Sequence, residues 1–130
     1  MQKPMLILIA GPYRSGTGDD LGLMAANLRR LESAAWPIFR KGHVPMIGEW
    51  VALPVLASAG SSVLEPLAAE VMYPTAERLL HHCDAVLRLP GASRGADQDV
   101  DMARMRGIPV YTTVEQVPDL RASVAPDADR

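Results

Sequence analysis

At 130 residues, with 48% hydrophobic and 22% charged residues, the chain has the composition of one ordered domain: enough apolar side chains for a single core, and too few for two. A net charge of -2, with arginines scattered rather than striped along one element, argues against polymeric DNA or RNA as a partner. No apolar run is long enough to span a bilayer, and Met1-Gln2-Lys3-Pro4 leads directly into a strand-like run, so a cytoplasmic protein without a membrane partner is expected.

Leu6 to Ala10 is an apolar run that suits a buried strand, and Gly11-Pro12-Tyr13-Arg14-Ser15-Gly16-Thr17-Gly18 breaks it into a loop. Gly11 and Pro12 allow a sharp exit from the strand, Tyr13 can bring a ring and a hydroxyl to a pocket, and Arg14 to Gly18 suit an anion-contacting loop. The loop is not a Walker A motif, because no Gly-Lys-Ser/Thr follows, and it is not a Gly-x-Gly-x-x-Gly fingerprint. Met24, Leu28, Leu31, Ala35 and Ile38 alternate spacings of four and three, which predicts one helix from about Leu21 to Lys41. Gly42 is its natural stop. His43 to Gly48 then reads as a short second strand running into a loop, so the unit is β-α-β with a parallel pair.

Glu49 to Gly60 is apolar and contains Pro54; it suits either a short irregular helix or a lid over the sheet edge. Ser62-Val63-Leu64-Glu65 has the form of a capping box, so a helix is expected to start at Ser62. Pro74 predicts an interruption near Tyr73, with Thr75 capping a further helical piece through Leu79, Leu80 and His82. Val86, Leu87 and Leu89 suit a buried parallel strand, Pro90 to Gly95 a loop, and Ala96 to Arg106 a helix ended by Gly107. Ile108 to Thr112 predicts a fourth strand and Val114 to Val117 a brief helical turn. The domain is expected to occupy residues 1–117, with a flexible tail over 118–130. Two strand-to-helix loops rich in small residues, after Ala10 and after Leu89, predict one shared pocket at the carboxyl ends of their strands.

The helix after the second loop begins near Ala96, so its first N–H groups, with Gly95 and the hydroxyl of Ser93, form a competent cradle for phosphate or carboxylate. The same residues also suit a plain turn, with Asp97 and Asp99 favouring the helix dipole, and spacing leaves both readings open. Asp97, Asp99 and Asp101 stand two apart and point to different helical faces, so no metal site is expected from them. His81 and His82 are adjacent and lack ligand spacing. Cys83 is the single cysteine and reads as a small buried hydrophobe rather than a reactive thiol.

With both loops in view, the chain resembles the nucleoside 2-deoxyribosyltransferase-like superfamily, including its small bacterial branch and its nucleotide N-glycosidases. The resemblance covers roughly Met5 to Tyr111. It rests on Ile9-Ala10-Gly11-Pro12-Tyr13, Gly42-His43-Val44-Pro45, Cys83-Asp84-Ala85-Val86, and Ser93-x-Gly95-Ala96-x-x-Asp99-x-x-x-Ala103 followed by Gly107-Ile108-Pro109-Val110. It implies an α/β flavodoxin-like three-layer sandwich with a parallel sheet of four or five strands. It also implies cleavage of an N-glycosidic bond through a carboxylate nucleophile, without a metal or organic cofactor. On this basis Asp99 stands at the nucleophile's position, where the family has Glu, and Tyr13 orients it. Ser93 resembles the phosphate-contacting serine of the nucleotide-cleaving branch, which points to a nucleoside or nucleotide 5′-monophosphate held by Gly11, Pro12, Arg14, Ser93, Gly95 and Ala96. The family's acidic residue on the helix before the Cys83-Asp84 strand is matched here by Ala76. Asp99 is one methylene shorter than Glu, which also fits a non-catalytic nucleotide-binding or sensing domain.

The apolar run Val51 to Ala57, with Met72 and Tyr73, exceeds what so small a domain can bury, so a homo-oligomer is expected. Relatives in the resembled family often complete a pocket with a neighbouring subunit, and Glu49 or Trp50 would then reach across to a ligand. A lid folded over the chain's own pocket is the alternative.

Overall fold

The computed structural model describes residues 3–121, and in it the first apolar run forms strand β1 (Leu6–Ala10) within a four-stranded sheet. Strands β2 (Val44–Met46), β3 (Ala85–Arg88) and β4 (Val110–Tyr111) complete it in the order β2-β1-β3-β4, every neighbouring pair parallel. Leu6 pairs with Val44, Ile7 with Ala85, and Val86 with Val110. Between the strands run α1 (Leu21–Glu32), α2 (Ala35–Arg40), α3 (Gly48–Ser58), α4 (Leu67–Leu80) and α5 (Arg94–Met105), and a 3-10 turn at Val114–Gln116 follows β4.

The period-two geometry of a strand divides the apolar runs between two cores. Ile7, Ile9, Ala85 and Leu87 pack with Leu31, Ala34 and Ile38 of the α1–α2 layer, and with Ile47 and Val117. Leu8, Ala10 and Val86 turn the other way, onto Leu80, Cys83, Ala96 and Ala103 around α4 and α5. Because both faces are covered, β1 and β3 read as unbroken hydrophobic stretches rather than alternating ones. The fold is therefore the expected α/β three-layer sandwich of flavodoxin-like form, with four strands.

Three departures from the expected helices involve proline. The helix predicted over Leu21 to Lys41 is two helices: Pro37 has no N–H for the Ser33 carbonyl and its ring would collide with it, so the chain turns at Ser33 and Ala34. The capping box at Ser62 is not used, and α4 begins five residues later at Leu67. A helix capped by Ser62 would need its first intrahelical bond from the N–H of residue 66, and Pro66 has none. Glu65 N–H instead closes a turn onto Ser62 O at 3.1 Å. Pro74, conversely, does not interrupt α4, just as Pro54 lies inside α3. α3 and α4 pack on each other, and α4 also on α5, so tertiary contacts hold both helices through the missing bonds.

Two polar side chains fasten the start of β1. Asp84 Oδ2 accepts from Leu6 N–H at 2.8 Å, and the buried His43 ring accepts from Met5 N–H through Nδ1 at 2.9 Å. With Nδ1 an acceptor, Nε2 carries the proton and donates to Pro118 O at 2.7 Å. Lys41 Nζ adds bonds to Val114 O and Val117 O, and Leu120 N–H donates to Lys41 O, so residues 114–120 are docked beside β2. From residue 122 onward the segment expected to form a flexible tail lies outside the described residues.

Candidate active site at the β1–β3 switch point

From β1 the chain crosses to β2 on one side of the sheet, whereas β3 lies on the other, so the connections that follow β1 and β3 diverge and leave a crevice at their carboxyl ends. A cavity of about 300 Å³ occupies that crevice. Its walls are Gly11, Tyr13, Arg14 and Ser15 from the first loop, Gly48 and Glu49 from α3, Val63, and Ala69, Met72, Tyr73 and Ala76 from α4. Ser93, Gly95, Ala96 and Asp99 close it from α5. The two small-residue loops thus meet in one pocket, and they meet tightly. Gly91 has φ +118°, and a Cβ added there would stand 2.6 Å from Cγ of the buried Pro12.

The first loop is held by its own polar groups. Thr17 is buried and donates to Arg14 O at 2.6 Å, Asn27 of α1 donates to Tyr13 O at 2.8 Å, and Asp20 caps α1 by accepting from Gly22 and Leu23 N–H. Arg14 is engaged at the rim: it donates to Val63 O at 2.8 Å and pairs with Asp19 at 3.0 Å. Tyr13 is left facing the cavity, where burial, and secondarily the charge of Glu49, raises its phenol above the usual value.

At the opposite loop α5 starts two residues earlier than expected, with Ser93 as its N-cap. Ser93 Oγ accepts from Ala96 N–H at 3.1 Å, and the first intrahelical bond runs from Asp97 N–H to Ser93 O. The N–H groups of Arg94 and Gly95 precede that bond and have no partner among the described residues. Ser93 is therefore a helix cap whose hydroxyl proton remains for a ligand beside those two N–H groups.

The helical offset separates the carboxylates of α5. Asp97 is exposed and pairs with Arg88 at 2.9 Å, while Asp99, half-buried, turns into the cavity. Burial pushes the Asp99 carboxyl up to about 7, Glu49 adds to the rise, and Arg88 opposes it. Glu49 is raised as well, chiefly by burial, against the pull of its own backbone N–H. Two carboxyls thus line one pocket, and burial favours the neutral form of each. Cys83, in the core between the sheet and the α4–α5 layer, is buried and pushed up to about 11, an inert thiol. Among the described residues, no three His, Cys, Asp or Glu side chains converge on a metal position.

Of the residues singled out in the sequence, Gly11, Tyr13, Arg14, Glu49, Ser93, Gly95, Ala96 and Asp99 line this cavity. Two lie elsewhere. Pro12 is buried against Gly91 and supports the loop from behind, and Trp50 donates its Nε1–H to Glu32 Oε2 at 2.8 Å. Adjacent residues on a helix point about 100° apart, so with Glu49 turned inward Trp50 turns outward. Glu49 accordingly serves the pocket of its own chain. Met72 and Tyr73, expected at an interface, form cavity wall together with Ala69 and Ala76; the spacing of Ala69, Met72, Tyr73 and Ala76 on one helical face carried that signal. No model of a known protein family matches the chain, and no curated protein matches it.

Proposed function

We propose that this cavity binds a nucleoside or nucleoside 5′-monophosphate and cleaves its N-glycosidic bond, with Asp99 as the nucleophile and Tyr13 orienting it. The observation that carries the reading is the convergence of Asp99, Glu49 and Tyr13 in one cavity at the switch point of the sheet. A volume of about 300 Å³ takes a mononucleotide and not a nucleic-acid strand. Tyr13, Met72, Tyr73 and Val63 supply the aromatic and apolar surface that a base and a sugar face require. The free N–H groups at the start of α5, with the Ser93 hydroxyl, suit a 5′-phosphate. In the reaction, an Asp99 oxygen bonds to C1′ of the sugar as the bond from C1′ to the base nitrogen breaks; water, or a second base, then displaces the carboxylate. No cofactor enters this scheme. Such substrates suit a cytoplasmic protein, and the exposed apolar residues Val51 and Val55 of α3 favour a homo-oligomer.

The test is to incubate the protein with a panel of nucleosides and 5′-monophosphates and to measure free base by chromatography. Base release that disappears in Asp99→Ala, with ligand binding retained, is the expected result, because the carboxylate acts in the transition state more than in the ground state. Binding of a 5′-monophosphate without release would assign the protein as a nucleotide-binding or sensing domain. Absence of both would remove the nucleotide reading altogether.

A further inference from the structure

We propose that Glu49 is the proton donor to the departing base and the acceptor of the proton from the attacking water. The inference rests on the N-glycosidic reading above and adds the second catalytic residue that such a reaction demands. A purine or pyrimidine leaving as an anion is a poor leaving group, so the base nitrogen must gain a proton as its bond to C1′ breaks. The cavity offers few sources. Asp99 must be ionised to attack. Arg14 is held by Val63 O and Asp19, and a guanidinium does not give up its proton. The phenol of Tyr13 is made a weaker acid by burial, and Ala76 brings no acid. Glu49 is the carboxyl that remains.

Its placement suits the role. Asp99 arrives from α5 and Glu49 from the first turn of α3, two helices that both pack on α4, so the carboxyls reach the cavity from different walls. Both carboxyls therefore border the space a sugar would occupy, and retaining glycoside cleavage likewise works with a pair of carboxyls. Burial favours the neutral form of both carboxyls, and Arg88, at the end of β3, opposes that rise at Asp99. The other titratable or charged groups that face the pocket are Tyr13 and Arg14 from the first loop and Tyr73 from α4.

The proton balance closes over the two halves of the reaction. In the first, a carboxylate oxygen of Asp99 forms the bond to C1′, the electron pair of the C1′–N bond goes to the base, and the Glu49 proton goes to that nitrogen. In the second, water adds to C1′, its proton returns to Glu49, and Asp99 leaves as carboxylate. The sum is substrate plus water giving sugar and free base.

The experiment compares two substrates in the unsubstituted protein, Glu49→Gln and Asp99→Asn. One is the nucleoside or 5′-monophosphate from which the protein releases base; the other is the 4-nitrophenyl glycoside of the same sugar, whose leaving group departs without a proton. Glu49→Gln should lower base release by about a hundredfold or more and nitrophenolate release only a few-fold. Base release by the unsubstituted protein should fall as rising pH ionises Glu49, a fall that Glu49→Gln should abolish, and Glu49→Asp should restore part of the loss. Asp99→Asn should remove both activities. Equal loss of the two activities in Glu49→Gln with an unchanged circular dichroism spectrum, no loss in either, or an alkaline fall that persists in that variant would overturn the proton-donor role alone. Silence of the unsubstituted protein toward every nucleoside and 5′-monophosphate would overturn the N-glycosidic reading, and this inference with it.

Discussion

Asp99 is only partly ionised at neutral pH, because its side chain has left water for a cavity that already holds Glu49. The sign of the consequence for stability follows from linkage. Below its ordinary value of 3.8 the group is neutral both folded and unfolded; between 3.8 and about 7 the unfolded chain ionises it and the folded chain resists. Stability contributed by the neutral form is therefore lost as pH rises through that window and changes no further above it. Asp99→Asn, neutral at every pH, should gain on the unsubstituted protein across the same window, as read from urea midpoints in a pH series; a constant difference would mean that Asp99 titrates normally. Ser93 carries a second residue-scale prediction. As the N-cap of α5, its replacement by Ala should destabilise the domain by about 1 kcal/mol and weaken a 5′-monophosphate more than the matching nucleoside in calorimetry. Equal weakening of both ligands would reduce Ser93 to a cap.

Among the elements, the contact between the two loops matters most for the site. Gly91 sits where a Cβ is both conformationally strained and blocked by Pro12. Gly91→Ala should cost about 2 kcal/mol or more and should also weaken ligand binding, because the β1–α1 and β3–α5 loops would be forced apart. An unaltered urea midpoint together with unaltered affinity would show that the loops do not depend on this contact. The prolines teach a related lesson about elements. Pro37 breaks a helix whose ends can each pack on the sheet as separate pieces, whereas Pro74 leaves α4 whole, because α3 and α5 grip it on either side of the missing bond. The local chemistry of the two residues is the same, and the packing around them decides the outcome.

For the molecule as a whole, α3 is apolar on nearly every face, yet its own chain covers only part of it. Ala52 and Leu56 are buried, while Val51 and Val55 remain exposed. Tyr73, which lines the cavity, is 49% exposed at its mouth. A second copy seated on this face would cover α3 and narrow the pocket opening. Light scattering at micromolar concentration should therefore give a multiple of 14.0 kDa, and Val55→Glu should shift it toward the monomer mass. A monomer mass with ligand binding intact would show that each chain completes its pocket alone.

The sequence by itself determined the parallel α/β sheet, the two loops that share a pocket, and the separation of Asp97 from Asp99, because strand and helix periods dictate which side chains share a face and these runs are long enough to read. It also placed Tyr13, Arg14, Ser93, Gly95 and Asp99 at that pocket, since each lies on or just after a loop at the carboxyl end of a strand. Only the tertiary structure decided that Glu49 faces Asp99 within one chain while Trp50 turns away to Glu32. The stretch from Glu49 to Gly60 is apolar on all sides, so no periodicity marked an inward face, and its helix and rotation were set by packing on α4. Met72, Tyr73 and Ala76 do share a helical face by their spacing, but what that face lines was decided only by the tertiary structure. Apolar residues on a helix announce burial, but whether they bury against a core, a partner or a ligand cavity depends on what the rest of the chain brings opposite them.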